Sequence, residues 1–188
     1  MKKKHIAILI IVLNQSLSFA CSCDWGGNFI KASIYSDVIV KAKVIQFNFH
    51  LPNGKVYTNQ EELNKYLKTN PDFKPVNIGA AMLVELIETI KGIEQRKTFE
   101  IYGMSGLDCR QSLHIFEIGK VYILSIDRSK KTKYTPPNED EEDYMIGGCS
   151  EHSLEFIEEK NKVRGYIKRH YSRRLINYNY KKLLKKIT

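Results

Sequence analysis

The hydrophobic positions fall into three regimes along the chain. The first is a short block at the start. Lys2, Lys3 and Lys4 precede an unbroken apolar run, Ile6–Leu13, and then a small-residue stretch ending Ser18-Phe19-Ala20. A basic head, a short apolar run and small residues at −3 and −1 are the pattern of a secretory signal peptide cut after Ala20. Eight apolar residues fall well short of the roughly 20 that a transmembrane helix needs. No later stretch approaches that length, so no membrane span is expected.

The second regime, from about residue 36 to 150, is rich in β-branched residues broken by turn signals. SDVIVKAKVIQF (36–47), KTFEIYG (97–103), GKVYILSID (119–127) and YMIGGCS (144–150) read as strands. AAMLVELIETIKG (80–92) fits a helix or a strand by periodicity alone. If it is a strand, five strands in an exported domain point to a small barrel or sandwich. Residues 48–78 interrupt the series as an insertion. Leu51-Pro52-Asn53-Gly54 marks a turn, and Asn59 with Glu62 three residues on marks the start of a short helix. WGGNFIKASIYS (25–36) reads as irregular. KKTKYTPPNEDEED (130–143) reads as a solvated charged loop.

The third regime follows Cys149. SLEFIEEKNKVRGYIKRHYSRRLINYNYKKLLKKIT (153–188) has helical composition with apolar residues at roughly helical spacing. Charge is divided unevenly. Residues 162–188 carry ten Lys/Arg and no acid, whereas residues 21–161 carry seventeen basic and twenty-one acidic residues, a net of −4. Losing the three N-terminal lysines lowers the whole-chain formal charge from +9 to +6. The expected organisation is a signal peptide (1–20), one β-rich domain (21–168) and a basic helical tail (169–188). The tail suits an anionic surface, glycan or membrane, and a solvated helix face is the commoner reading of such a charge run. Export argues against nucleic acid as a partner.

Four cysteines, Cys21, Cys23, Cys109 and Cys149, all fall after the expected cleavage site. An even number in an exported chain implies disulfides, with three connectivities open. Neighbours at i and i+2 do not bridge each other comfortably, so Cys21 and Cys23 each reach for a distant partner. Zinc binding would need paired spacings or nearby histidines, and His50, His114, His152 and His170 are scattered. They read as surface or hydrogen-bonded residues. No nucleophile-elbow or zincin signature is present, so neither an enzyme nor a cofactor is expected. Cleavage after Ala20 makes Cys21 the first residue. A bacterial lipoprotein also begins on cysteine, but its signal favours leucine at −3. Here Leu17 is at −4 and Phe19 at −2, so a secreted, periplasmic or cell-surface protein without a lipid anchor is the expected outcome.

Several of these stretches resemble the tissue inhibitors of metalloproteinases (TIMPs), in the wider netrin-like group. Cys21-Ser22-Cys23 is similar to the Cys-Xaa-Cys start of that family. Ser36–Val44 resembles its entry into the first strand, and Leu86–Gly92 the end of its second. Cys109 after the third strand, Gly119-Lys120-Val121-Tyr122 opening the fourth, and Gly148-Cys149-Ser150 on the fifth continue the likeness over about residues 21–168. The resemblance implies a mainly β fold: a five-stranded OB-fold Greek-key barrel with C-terminal helices packed on it. It implies that 80–90 is a strand and that the disulfides are Cys21–Cys109 and Cys23–Cys149.

It also implies a function. In the family the N-terminal cysteine chelates the catalytic zinc of a target protease through its α-amine and carbonyl. Carried over, Cys21 would touch the target's zinc and Ser22 would enter the adjoining pocket. Cys23 and Asp24 would continue along the cleft, with Leu107 and Asp108 as a second contact ridge. The expected partner is therefore a zinc metalloprotease. The alternative is a netrin-like module that binds protein, glycan or an anionic surface without inhibiting a protease. The chain departs from the family in lacking its other N-terminal-segment cysteine, its His-Pro-Gln element and its cysteine-rich C-terminal domain.

Overall fold

The structure, a computed structural model, describes residues 23–74, 78–104, 109–132, 135–136, 138–168 and 174–188. The signal-peptide reading, Cys21, Ser22, Leu107, Asp108, His170 and part of the basic tail lie outside the described residues.

The fold is mainly β. Nine strands among the described residues form one sheet, and a helix follows the last of them. β1 (Val38–His50), β3 (Gly79–Lys91), β4 (Thr98–Tyr102), β5 (Val121–Arg128) and β6 (Tyr144–Met145) pair in the closed order β1-β3-β4-β6-β5-β1. Four pairings in this ring are antiparallel, and β4–β6 is parallel. β1 holds both neighbours because it bends. Its register against β3 shifts at Ile39/Val40, Lys41/Ala42 and Val44/Gln46. Such bulges add twist and let a long strand turn a corner. The 80–92 segment, ambiguous by periodicity, is the strand β3.

Alternation along the strands builds two cores. Val38, Val40, Ala42 and Val44 of β1 face the ring interior with Met82, Phe99, Ile101, Leu124, Ile126 and Tyr144. The intervening Ile39 and Ile123 face a second cluster outside the ring. β5 is therefore apolar on both faces, which explains its near-continuous hydrophobic run. A fully buried Val, Leu or Ile contributes about 1.5–3 kcal/mol, and both cores hold such residues.

The second core is covered by elements that differ from expectation. Residues 25–36 are not irregular throughout. Phe29–Tyr35 form helix α1, capped by Asn28, whose side chain accepts the Lys31 N–H (3.2 Å). At its other end Lys91 Nζ donates to the carbonyls of Ser33, Ile34 and Ser36, each 2.9 Å away. A lysine from the neighbouring strand thus satisfies carbonyls that a helix end leaves open.

The region after Cys149 is not uniformly helical. β7 (Ser153–Ile157), β8 (Lys162–Gly165) and β9 (Ile176–Asn179) extend the sheet, and among the described residues Tyr180–Ile187 form the one α-helix of this region, α3. The β7–β8 turn passes through Asn161 in the left-handed region (φ 44°), a conformation asparagine tolerates. The basic tail, over its described residues, is no appendage. Tyr180, Leu183 and Ile187 pack with Phe29, Leu154, Val163 and Ile167 in the second core.

The insertion contains the expected helix. α2 (Gln60–Thr69) is capped by Asn59, whose side chain accepts the Glu61 N–H (2.7 Å), and it follows the short strand β2 (Val56–Tyr57). No helix among the described residues is long and apolar enough to cross a membrane.

Candidate functional site

Three chain segments meet at one surface of the ring: 23–27, 109–111 and 146–151. The last lies in the middle. On one side Gly148 N–H donates to Cys109 O (2.9 Å), Gln111 N–H donates to Ile146 O (2.9 Å), and Arg110 pairs with Gly147 in an antiparallel bridge. On the other side Gly26 N–H donates to Cys149 O (2.7 Å) and Glu151 N–H donates to Gly27 O (3.0 Å). Cys23 is bonded to Cys149 (S–S 1.95 Å, Cα–Cα 5.8 Å), joining positions 126 residues apart. Cys109 is also disulfide-bonded. The sulfurs of Cys23, Cys109 and Cys149 lie within 4.8 Å of one another, with Cys23 and Cys109 exposed. These sulfurs are oxidised, so the cluster is a staple; a metal site would require thiolates.

Close approach demands glycine here. A Cβ on Gly148 would stand 2.7–2.8 Å from the Arg110 and Cys109 carbonyls, and one on Gly26 would collide with the Ser150 hydroxyl. Behind the 109–111 segment, Arg110 Nη1 donates to Glu139 Oε2 at 2.6 Å. Arg110 is 8% exposed and Glu139 fully buried. The acidic run assigned to solvent by its pattern therefore places one carboxylate in the interior, where burial is tolerable because a guanidinium meets it. Neither Arg110 nor Glu139 stood out in the sequence. A lone arginine beside a cysteine and a glutamate within NEDEED carry no local signal for a contact 29 residues long.

Glu151, which follows the disulfide, has its carboxyl pushed up to about 7 by burial, partly offset by hydrogen bonds from Ser153. It borders an open groove of about 620 Å³ beside the staple, where Trp25, Gln111, Tyr122 and Tyr166 also stand. On that groove's rim Lys120 bridges Glu117 (2.8 Å) and Glu155 (3.1 Å).

Of the residues singled out by sequence, the structure brings Cys23, Cys109 and Cys149 together. It leaves Asp24 exposed beside them. Cys21, Ser22, Leu107 and Asp108 are outside the described residues. The histidines are dispersed. His50 is buried, with Nε2 3.0 and 3.1 Å from the two Glu100 oxygens. Burial raises the Glu100 pKa, but hydrogen bonds from His50 and Asn48 outweigh it and hold that carboxyl below its ordinary value. His152 is held low by burial and stands 3.2 Å from the Ser125 carbonyl. His114 is exposed and bonds Ser112.

The arrangement can hold a chain terminus still. Residues 23–27 are covalently tied at Cys23 and hydrogen-bonded at Gly26 and Gly27, so Cys23 is a fixed point of the chain. No known protein-family model matches the chain, and no curated protein is significantly similar to it.

Proposed function

We propose that the protein is an exported, TIMP-like inhibitor of zinc metalloendopeptidases that acts through its mature N-terminus rather than as an enzyme. The observation that carries this reading is the convergence of three cysteine sulfurs within 4.8 Å at an exposed surface, with the 23–27 strap pinned beside them. With Cys23 bonded to Cys149, the companion pairing is Cys21–Cys109. The signal peptide ends at Ala20, leaving the Cys21 amine free and unlipidated. The ring order, with its single parallel pairing between the third and fifth ring strands, supports an OB-fold as the scaffold.

The chemistry follows from a catalytic zinc with one position open to water. The α-amine, with a pKa of about 8, is neutral in part at pH 7, and zinc draws it further toward the neutral form. The Cys21 nitrogen and carbonyl oxygen replace that water. Ser22 enters the adjoining pocket, Cys23 and Asp24 follow the cleft, and Leu107 and Asp108 supply the second ridge. A terminus already ordered by disulfides loses little entropy on docking. The zinc belongs to the target.

The test is a titration of the oxidised, mature protein against a panel of zinc endopeptidases, with serine proteases as controls. Intact mass and N-terminal sequencing establish the first residue. Stoichiometric inhibition confined to zinc enzymes by a chain with a free Cys21 amine is expected. An acylated Cys21, or no inhibition across the panel, overturns the reading.

A further inference from the structure

Helices α1 and α3 cover the same end of the molecule, since Phe29 and Ile30 of α1 pack with Leu183, Leu184 and Ile187 of α3. The outer surface of that end has two components. One is charge. Lys181, Lys182, Lys185 and Lys186 are the four exposed lysines of α3's two turns, opposite its buried Tyr180, Leu183 and Ile187. They form like-charge pairs at i,i+4, which weaken a helix. Lys181 and Lys182 also sit in its first turn, where the helix dipole disfavours cations. Among the described residues none of the four is ion-paired. Of the acids on neighbouring elements, exposed Glu158 and Glu159 precede Asn161, whose carbonyl accepts the Tyr180 N–H at the start of α3 (3.2 Å), while three others are engaged. Glu88 accepts from the Tyr180 hydroxyl (2.9 Å), buried Glu94 pairs with Arg96 (2.7 Å), and Asp37 accepts the Arg128 N–H (2.8 Å).

The other component is apolar. Ile34 is 62% exposed and Tyr35 79% exposed at the end of α1, and Ile93 is 75% exposed in the β3–β4 turn. Ile34 lies one turn beyond Ile30, outside the buried face of α1 formed by Phe29, Ala32 and Ser33. The grip of Lys91 on the last carbonyls of α1 brings the β3–β4 turn, and Ile93 with it, to the same helix end. Large side chains exposed beside unpaired lysines suit a surface that is anionic at its face and apolar just beneath.

We infer that this end of the molecule docks on an anionic lipid bilayer. The α3 lysines meet headgroup phosphates and carboxylates, and Ile34, Tyr35 and Ile93 enter the interface. A soluble polyanion such as a sulfated glycan uses the lysines but gives the apolar side chains nothing to bury against. The inference is independent of protease inhibition and is measured without a protease.

The experiment is co-sedimentation of the mature protein with phosphatidylcholine vesicles with and without phosphatidylserine, alongside heparin binding. Binding only to the phosphatidylserine vesicles is expected. Each lysine is worth about fivefold in affinity at such a surface, so K181Q/K182Q/K185Q/K186Q should reduce vesicle binding by about a hundredfold or more. I34S/Y35S/I93S should weaken vesicle binding about tenfold or more while leaving heparin binding unchanged. All seven positions are solvent-exposed, and circular dichroism checks the fold of each variant. As a second readout, Ile93→Trp emission should shift to the blue when phosphatidylserine vesicles are added. No vesicle binding, or vesicle binding insensitive to the apolar triple variant, overturns the inference.

Discussion

Glu139→Ala removes a fully buried carboxylate ion-paired with Arg110, whose side chain is itself 8% exposed. Breaking a buried ion pair from one side costs about 3–5 kcal/mol, because the surviving charge keeps its desolvation penalty. Small domains are stable by about 5–15 kcal/mol, so this single change should consume a large share of the total. Arg110→Met leaves Glu139 buried without that guanidinium and should cost a comparable amount. Arg110→Met/Glu139→Leu removes both charges with similar volume and should restore stability to within about 1–2 kcal/mol of the parent. Urea unfolding at neutral pH, followed by tryptophan fluorescence of the single Trp25 and by circular dichroism, gives the four corners of the cycle. The slope m should stay constant across them. The contrast with a solvated acidic run is sharp, since surface substitutions usually stay within about 0.5 kcal/mol. A Glu139→Ala cost below about 1 kcal/mol would refute the reasoning and return Glu139 to the surface.

Two further predictions concern the staple. Glu151 has a folded-state carboxyl at about 7 against an ordinary 4.5, so the native state holds its proton more tightly than the unfolded chain. Its contribution is most favourable below pH 4.5 and is lost as pH rises to about 7, an effect of about 3 kcal/mol. Asp127 and Asp143 are pushed in the same direction and His152 in the opposite one. The difference in urea stability between the parent and Glu151→Gln isolates the group: it should grow from pH 4.5 to pH 7 in favour of glutamine, and a pH-independent difference would contradict the assignment. Gly148→Ala places a Cβ against the Cys109–Arg110 backbone. It should destabilise by about 1–3 kcal/mol and speed reduction of Cys23–Cys149 by dithiothreitol, whereas unchanged stability and reduction rate would show that the three segments are not in close apposition.

Much of the ring was legible because its signals are local. β-branched runs at 38–50 and 121–128, the turn at 51–54 and the Asn59 cap each announce themselves within a few residues. The 79–91 strand was not decidable by pattern, since it serves the ring interior at Met82 and Val84 and the second core's rim at Ile90. The hairpin over 153–165 was misread as helix because lysine and glutamate dominate its exposed face. Its alternation, Leu154 and Phe156 against Val163 and Gly165, together with Asn161 between them, was the available clue. Helix α1 hid behind two glycines, although Asn28 stands where a cap belongs and Phe29, Ala32 and Ser33 mark its buried face. At the site, the cysteines were visible by type and order. Gly148's close approach, the Arg110–Glu139 pair and the burial of Glu151 arise from segments far apart in sequence, and no local pattern encodes them.

The most direct test of the proposed function moves one atom group. Two forms of the mature protein are compared, one beginning at Cys21 and one with a single alanine added before it. In the proposed mechanism the added residue would take the amine away from the target's zinc while leaving the Cys23–Cys149 bond and the ring untouched. Inhibition of the zinc protease should disappear in the extended form, with thermal unfolding and the Cys23–Cys149 bond unchanged. Full inhibition by the extended form would contradict the account.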